Sequence, residues 1–130
     1  MDNISLIITK PWGYEQILEK NDRYVVKVLH IKRGRQLSLQ YHERKTETLF
    51  LYSGSGRIVK WDGGEIKAIR MEKPLQKVHI PKEWVHGIES STSEDMEILE
   101  VSTTELDDVV RMEDAYGRVQ VLEERDQMSA

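Results

Sequence analysis

From Tyr24 to Ser102 the chain repeats one pattern: short runs of alternating apolar and β-branched residues, each closed within a few positions by a turn. YVVKVLHI, LSLQYH, TLFLY, RIVKW, EIKAIRM, VHI, GIES and MEILEVS are such runs, and Asn21-Asp22-Arg23, Ser53-Gly54-Ser55-Gly56 and Asp62-Gly63-Gly64 are turn signals between them. Parallel neighbours need a long crossover, usually a helix, and this region offers none. The pattern therefore predicts an all-β antiparallel barrel or jelly roll. The apolar ISLII suggests a further strand, broken by Lys10-Pro11-Trp12-Gly13, and Tyr14 to Glu19 reads as a strand or a brief helical turn. Thr104 with an acid three residues on has the form of a helix start. A short C-terminal helix is expected there, with Gly117 as its stop and Leu106, Val109, Val110 and Tyr116 as its apolar stripe.

Side chains two apart on a strand share a face, which decides what can meet inside. In LSLQYH that rule groups Ser38, Gln40 and His42. After the polar turn Glu43-Arg44-Lys45, alternation groups Glu47 with Leu49 and Leu51, so a carboxylate points inward. An inward Gln, His and Glu are costly to bury unless something pairs with them, and one divalent ion satisfies all three. His86, after an apolar strand and a proline turn, is the candidate fourth donor. His30 lacks a spaced partner and reads as a satisfied strand histidine. Lys27, on a strongly apolar strand, either snorkels to solvent or faces a pocket.

The order and spacing of Gly34, Gln40, His42, Glu47 and Gly54 resemble the first cupin motif, with Gln40 standing for its first histidine. Pro81 and His86 have the spacing of the second, although Glu83 replaces its usual glycine and Ser90 its final asparagine. The glutamine variant, PWG at Pro11–Gly13, LSLQ before His42 and DDVVRMEDAYGR at Asp107–Arg118 resemble the cupin domain of type II phosphomannose isomerases, over Lys10 to Arg118. That resemblance implies a jelly-roll barrel holding one divalent ion through Gln40, His42, Glu47 and His86. Zinc suits these donors, with nickel, manganese, cobalt or iron tolerated. It also places Trp12, otherwise a hydrophobic plug, near the substrate pocket, and implies Lys27 at the pocket. It makes Lys10, Arg111 and Arg118 candidate phosphate contacts; for the two arginines, surface pairing with Glu113 or Asp114 is the alternative.

At 130 residues the chain suits one domain, expected over residues 1–118, followed by a charged tail at 119–130. The glycine-rich nucleotide signature of longer members of the resembled family does not occur here, so guanylyltransferase activity is not carried over. Nineteen basic against 23 acidic residues, net −4, without a basic block, argue against nucleic acid. With no Cys, no long apolar run and no cationic-apolar leader, a soluble cytoplasmic protein without a membrane partner is expected. Analogy with other cupins suggests a homodimer built through the N-terminal strand.

An aldose-ketose isomerase moves a proton between neighbouring carbons, a divalent cation stabilises the charge that develops, and a base must be in reach. The sequence does not identify that base: Lys27 is one candidate, hydroxide on the ion another, and Glu47 a weaker one because coordination lowers its basicity. The expected substrate is a sugar phosphate, mannose 6-phosphate first. A non-catalytic metal- or sugar-binding cupin is the alternative, because Arg44 and Thr48 stand where the resembled enzymes tend to carry additional histidines. An iron dioxygenase can use the same barrel, but Gln40 in place of a histidine argues against it. A metal-free sugar-nucleotide epimerase would need a His base supported by an acid.

Overall fold

A computed structural model describes residues 6–62, 64–105 and 108–113. Eleven strands follow in chain order: β1 Leu6–Lys10, β2 Gly13–Lys20, β3 Val25–Ile31, β4 Leu39–His42, β5 Glu47–Gly54, β6 Gly56–Asp62, β7 Glu65–Met71, β8 Lys77–Ile80, β9 His86–Ser90, β10 Met96–Ser102 and β11 Val109–Glu113. They form a six-stranded sheet in the order β1-β2-β3-β10-β5-β8 and a five-stranded sheet in the order β11-β4-β9-β6-β7. All the registered pairings are antiparallel. This is the all-β fold expected from the turn spacing. No helix among the described residues is long and apolar enough to cross a membrane.

One expectation needs correction. Val109–Glu113, which fell within the expected C-terminal helix, is strand β11, paired with β4 through Val109 with His42 and Arg111 with Gln40. Its Val-Val-Arg-Met-Glu run also alternates, and a free edge on β4 satisfies its backbone. Tyr116, Gly117, Arg118 and the tail at 119–130 lie outside the described residues. Tyr14 to Glu19, left between two readings, is part of β2.

Alternation divides the barrel interior into an apolar and a polar end. On β10, Met96, Ile98, Glu100 and Ser102 are the buried positions. Register sets Met96 beside Ile31, Ile98 beside Leu29 and Leu51, Glu100 beside Lys27 and Leu49, and Ser102 beside Val25 and Glu47. Ile31, Leu51, Met96 and Ile98 pack with Ile58, Met71 and Ile80 in the core. Trp12 joins that cluster at 3% exposure, so it does serve as a hydrophobic plug. Gly54 turns β5 into β6 at φ +77°, where a Cβ would run into the Asp95 carbonyl oxygen.

Candidate metal centre

The polar end is built by the two sheets facing each other. Glu47 opens β5 in one sheet; His42 closes β4 and His86 opens β9 in the other. The ligand atoms of His42, Glu47 and His86 all lie within 4.8 Å of one another, and all three residues are buried. His86 Nε2 lies 3.0 Å from Glu47 Oε2, and His42 Nε2 lies 3.5 Å from Oε1. Gln40 is the register partner of His86 on one side and Arg111 on the other, so the three share one row of the sheet. Its Oε1 accepts a hydrogen bond from the Ser38 hydroxyl at 3.1 Å.

The second nitrogen of each imidazole is fixed by the backbone. His42 Nδ1 donates to the Asp108 carbonyl at 2.9 Å, and His86 Nδ1 donates to the Trp84 carbonyl at 2.9 Å. Both Nε2 atoms are thereby turned toward Glu47, the orientation a metal-binding histidine needs. His42 Nε2 is buried and has no hydrogen-bond partner among the described residues. A buried lone pair, a carboxylate and a second imidazole at this separation fit a divalent ion bound through nitrogen and oxygen.

Electrostatics agree with that chemistry. Burial pushes the His42 imidazole below its ordinary value, keeping the neutral form that can act as a ligand. Burial also opposes charge on Glu47, but the His86 hydrogen bond and the nearby Lys45 and His42 hold its carboxyl down at about 2. His86 is raised in turn: burial resists its charge, and the Glu47 contact outweighs it. A divalent ion held by these atoms would replace the proton on His86 Nε2, which would couple its uptake to proton release.

Above the centre lies a cavity of about 400 Å³, reached by Gln40 and His42. Lys10, Lys27, Lys45 and Arg111 line it, as do the carboxylates Glu15 and Glu100. Lys27 does not snorkel to bulk solvent: its ammonium pairs with Glu15 at 3.3 Å, and Lys10 approaches the same carboxylate at 4.0 Å. Arg111 Nε is buried without a hydrogen-bond partner among the described residues. His30 is not part of this site. It faces outward from β3, with Nδ1 3.0 Å from Glu97 and Nε2 2.8 Å from Asp95, the satisfied histidine expected.

Three residues of the site escaped the sequence reading. Lys45 looked like part of a polar turn, yet it is 6% exposed and bridges Glu47 at 3.3 Å and Glu100 at 3.4 Å. Asp108 explains the inversion: its carboxylate accepts the backbone N–H groups of Glu43, Arg44 and Lys45, folding the turn back onto the barrel. No local pattern announces that contact across the chain. Glu100 was missed although a signal existed, since alternation puts it on the face of Met96 and Ile98. In the loop before β9, Glu83 takes φ +73°, the left-handed conformation for which the motif ordinarily uses glycine, and donates its N–H to the His42 carbonyl at 2.5 Å. A non-glycine residue thus holds the left-handed position in this loop.

The family described as mannose-6-phosphate isomerase C-terminal matches residues 3–114. The mannose-1-phosphate guanylyltransferase ManC of Salmonella typhimurium is 33% identical over 115 residues, which make up 86% of this chain and 23% of that protein. The alginate biosynthesis protein AlgA of Pseudomonas aeruginosa is 31% identical over 85% of this chain and 23% of its own length. The chain thus spans under a quarter of these relatives. Among solved structures, the capsular polysaccharide assembling protein CapF of Staphylococcus aureus superposes with a TM-score of 0.77 at 25% identity, over 86% of this chain and 32% of that one. A cupin-2 domain protein of Rhodospirillum rubrum superposes at 0.70 and 14% identity, over 97% of this chain and 90% of that one, a likeness of fold alone.

Proposed function

Since this chain belongs to the mannose-6-phosphate isomerase C-terminal family, we propose that it is a metal-dependent aldose-ketose isomerase interconverting mannose 6-phosphate and fructose 6-phosphate. The observation that carries the reading is the convergence of buried His42, Glu47 and His86 under a cation-lined cavity. Gln40 completes the ligand set, and zinc suits it, with nickel, manganese, cobalt and iron as the other candidates. When bound, the ion polarises a carbonyl oxygen of the open-chain sugar as a Lewis acid.

The chain's own residues supply the rest. Arg111, beside Gln40 and with its Nε unpartnered among the described residues, donates to a sugar oxygen on which charge develops. Lys27 is a second cationic contact from the facing sheet, and Lys10 at the wall receives the phosphate. Arg118 has the same assignment from the motif alone. The apolar side chains of Trp12 and Leu29 exclude water from the opposite wall. Sugar-phosphate supply for polysaccharide or nucleotide-sugar synthesis in the cytoplasm is the matching role. A homodimer formed through edge strand β1, where Leu6 and Ile7 are 59% and 57% exposed, belongs to the same reading.

The test is elemental analysis together with interconversion of the two hexose phosphates by the intact chain. Stoichiometric metal and turnover are expected, both lost in His86→Ala without loss of the folded far-UV spectrum. A metal-loaded protein inactive on a panel of sugar phosphates would leave a non-catalytic metal- or sugar-binding cupin, a reading favoured by Lys45 already engaging the Glu47 carboxylate.

A further inference from the structure

Two carboxylates, Glu15 and Glu100, line the cavity, a third, Glu47, belongs to the metal centre, and the partners of the three differ. Glu47 faces both imidazoles of the metal centre. Glu15 is held at the outer wall by Lys27 and Lys10. Glu100 lines the cavity and is 6% exposed, and its hydrogen-bond partner is the Lys45 ammonium at 3.4 Å. Because the same ammonium also reaches Glu47, it holds Glu100 beside the metal centre without making it a ligand. From this geometry we propose that Glu100 is the catalytic base that accepts and returns the migrating proton, with Lys45 as its positioning residue. The assignment rests on the isomerase reading above.

Other side chains at the site are already committed. A lysine ammonium paired with Glu15 has no lone pair to accept a proton, which leaves Lys27 as a charge donor. His42 and His86 direct Nε2 at the ion site and Nδ1 at backbone carbonyls. Glu100 keeps a carboxylate in the cavity wall, where burial and the Glu47 charge favour its taking a proton while Lys45 opposes it. In the forward step the Glu100 carboxylate removes the proton on C2 of the aldose. The electron pair of the broken C–H bond forms the C1–C2 double bond, and the carbonyl π pair moves onto O1, giving an enediolate. The Glu100 acid then returns its proton to C1, the O2 proton passes to O1, and the C2 carbonyl of the ketose forms.

The experiment uses the intact, metal-loaded chain with mannose 6-phosphate in deuterium oxide, reading ion content, kcat, KM and solvent deuterium incorporation in product and recovered substrate. E100Q is expected to hold the ion as the wild type does, with KM within about threefold, and to lose kcat and deuterium incorporation by about 10²- to 10⁴-fold. E100D, which withdraws the carboxylate by one methylene, is expected to keep the ion and retain intermediate exchange. Exchange at the wild-type rate in E100Q overturns the assignment and leaves the isomerase reading standing. If E100Q loses the ion or fails to fold, E100D decides, and wild-type exchange there overturns it equally. A wild-type protein that neither converts nor exchanges the sugar fails the isomerase reading itself, and the role of Glu100 falls with it.

Discussion

Asp108 does more for the candidate site than its place outside the His42–Glu47–His86 cluster suggests. Its backbone carbonyl fixes the His42 ring, and its carboxylate gathers three consecutive amides. Burial works against its charge, and those amides overcome it, holding the carboxyl below the ordinary carboxylate range. Removing the side chain frees the turn that carries Lys45 and loosens the end of β4. Asp108→Ala is therefore expected to weaken ion binding by about 10- to 100-fold, the usual effect of losing a group that orients a ligand. Competition titration with a chelating dye measures it, and unchanged affinity would mean that His42 is fixed by its strand alone. At this scale the sequence was informative wherever a residue's face could be read: Gln40, His42 and Glu47 needed only the period of two, whereas His86 was singled out by the proline turn before it and by the motif spacing. It was silent on Asp108 because that role depends on a contact with residues more than sixty positions away.

Strand pairing writes a row of contacts across the outside of the larger sheet. Tyr14 stacks on His30 at 4.8 Å, His30 faces its cross-strand partner Glu97, and Glu97 accepts the Ser53 hydroxyl at 2.8 Å. Asp95, on the turn before β10, binds the other His30 nitrogen and the Arg33 amide. Burial lowers the basicity of His30, but the two carboxylates overcome it and raise the imidazole above its ordinary 6.5. The folded state therefore binds this proton more tightly than the unfolded chain does. Its contribution to stability is complete below pH 6.5 and is lost as pH rises through the elevated value. Denaturant midpoints of wild type minus His30→Gln, taken across that window, are expected to decline with rising pH. A flat difference would remove the charge from this row. The elements themselves were largely legible, because turn signals bounded them and alternation oriented them. β11 was not: a run as short as VVRME fits both helical and extended periods, and the free edge of β4 decided between them.

For the whole molecule, an ion that binds only the folded chain adds stability by mass action, about 2.7 kcal/mol when its free concentration is 100 times Kd. Calorimetry of the chelator-treated protein should show the unfolding midpoint climbing with added zinc and returning on chelation, with no climb in His86→Ala. A midpoint indifferent to every divalent ion tested would remove the metal from the account. The gain should not be spread evenly over the barrel. Within their strands, β4 and β9 meet through one registered pair, Gln40 with His86, whereas β6 and β9 share five. An ion gripped by those two residues and by Glu47 from the opposite wall would act as a rivet through the thinnest joint in the smaller sheet. Loss of the ion would then unfasten the joint before it melts the barrel, and amide deuteration quickening first along Leu39–His42 would be its signature.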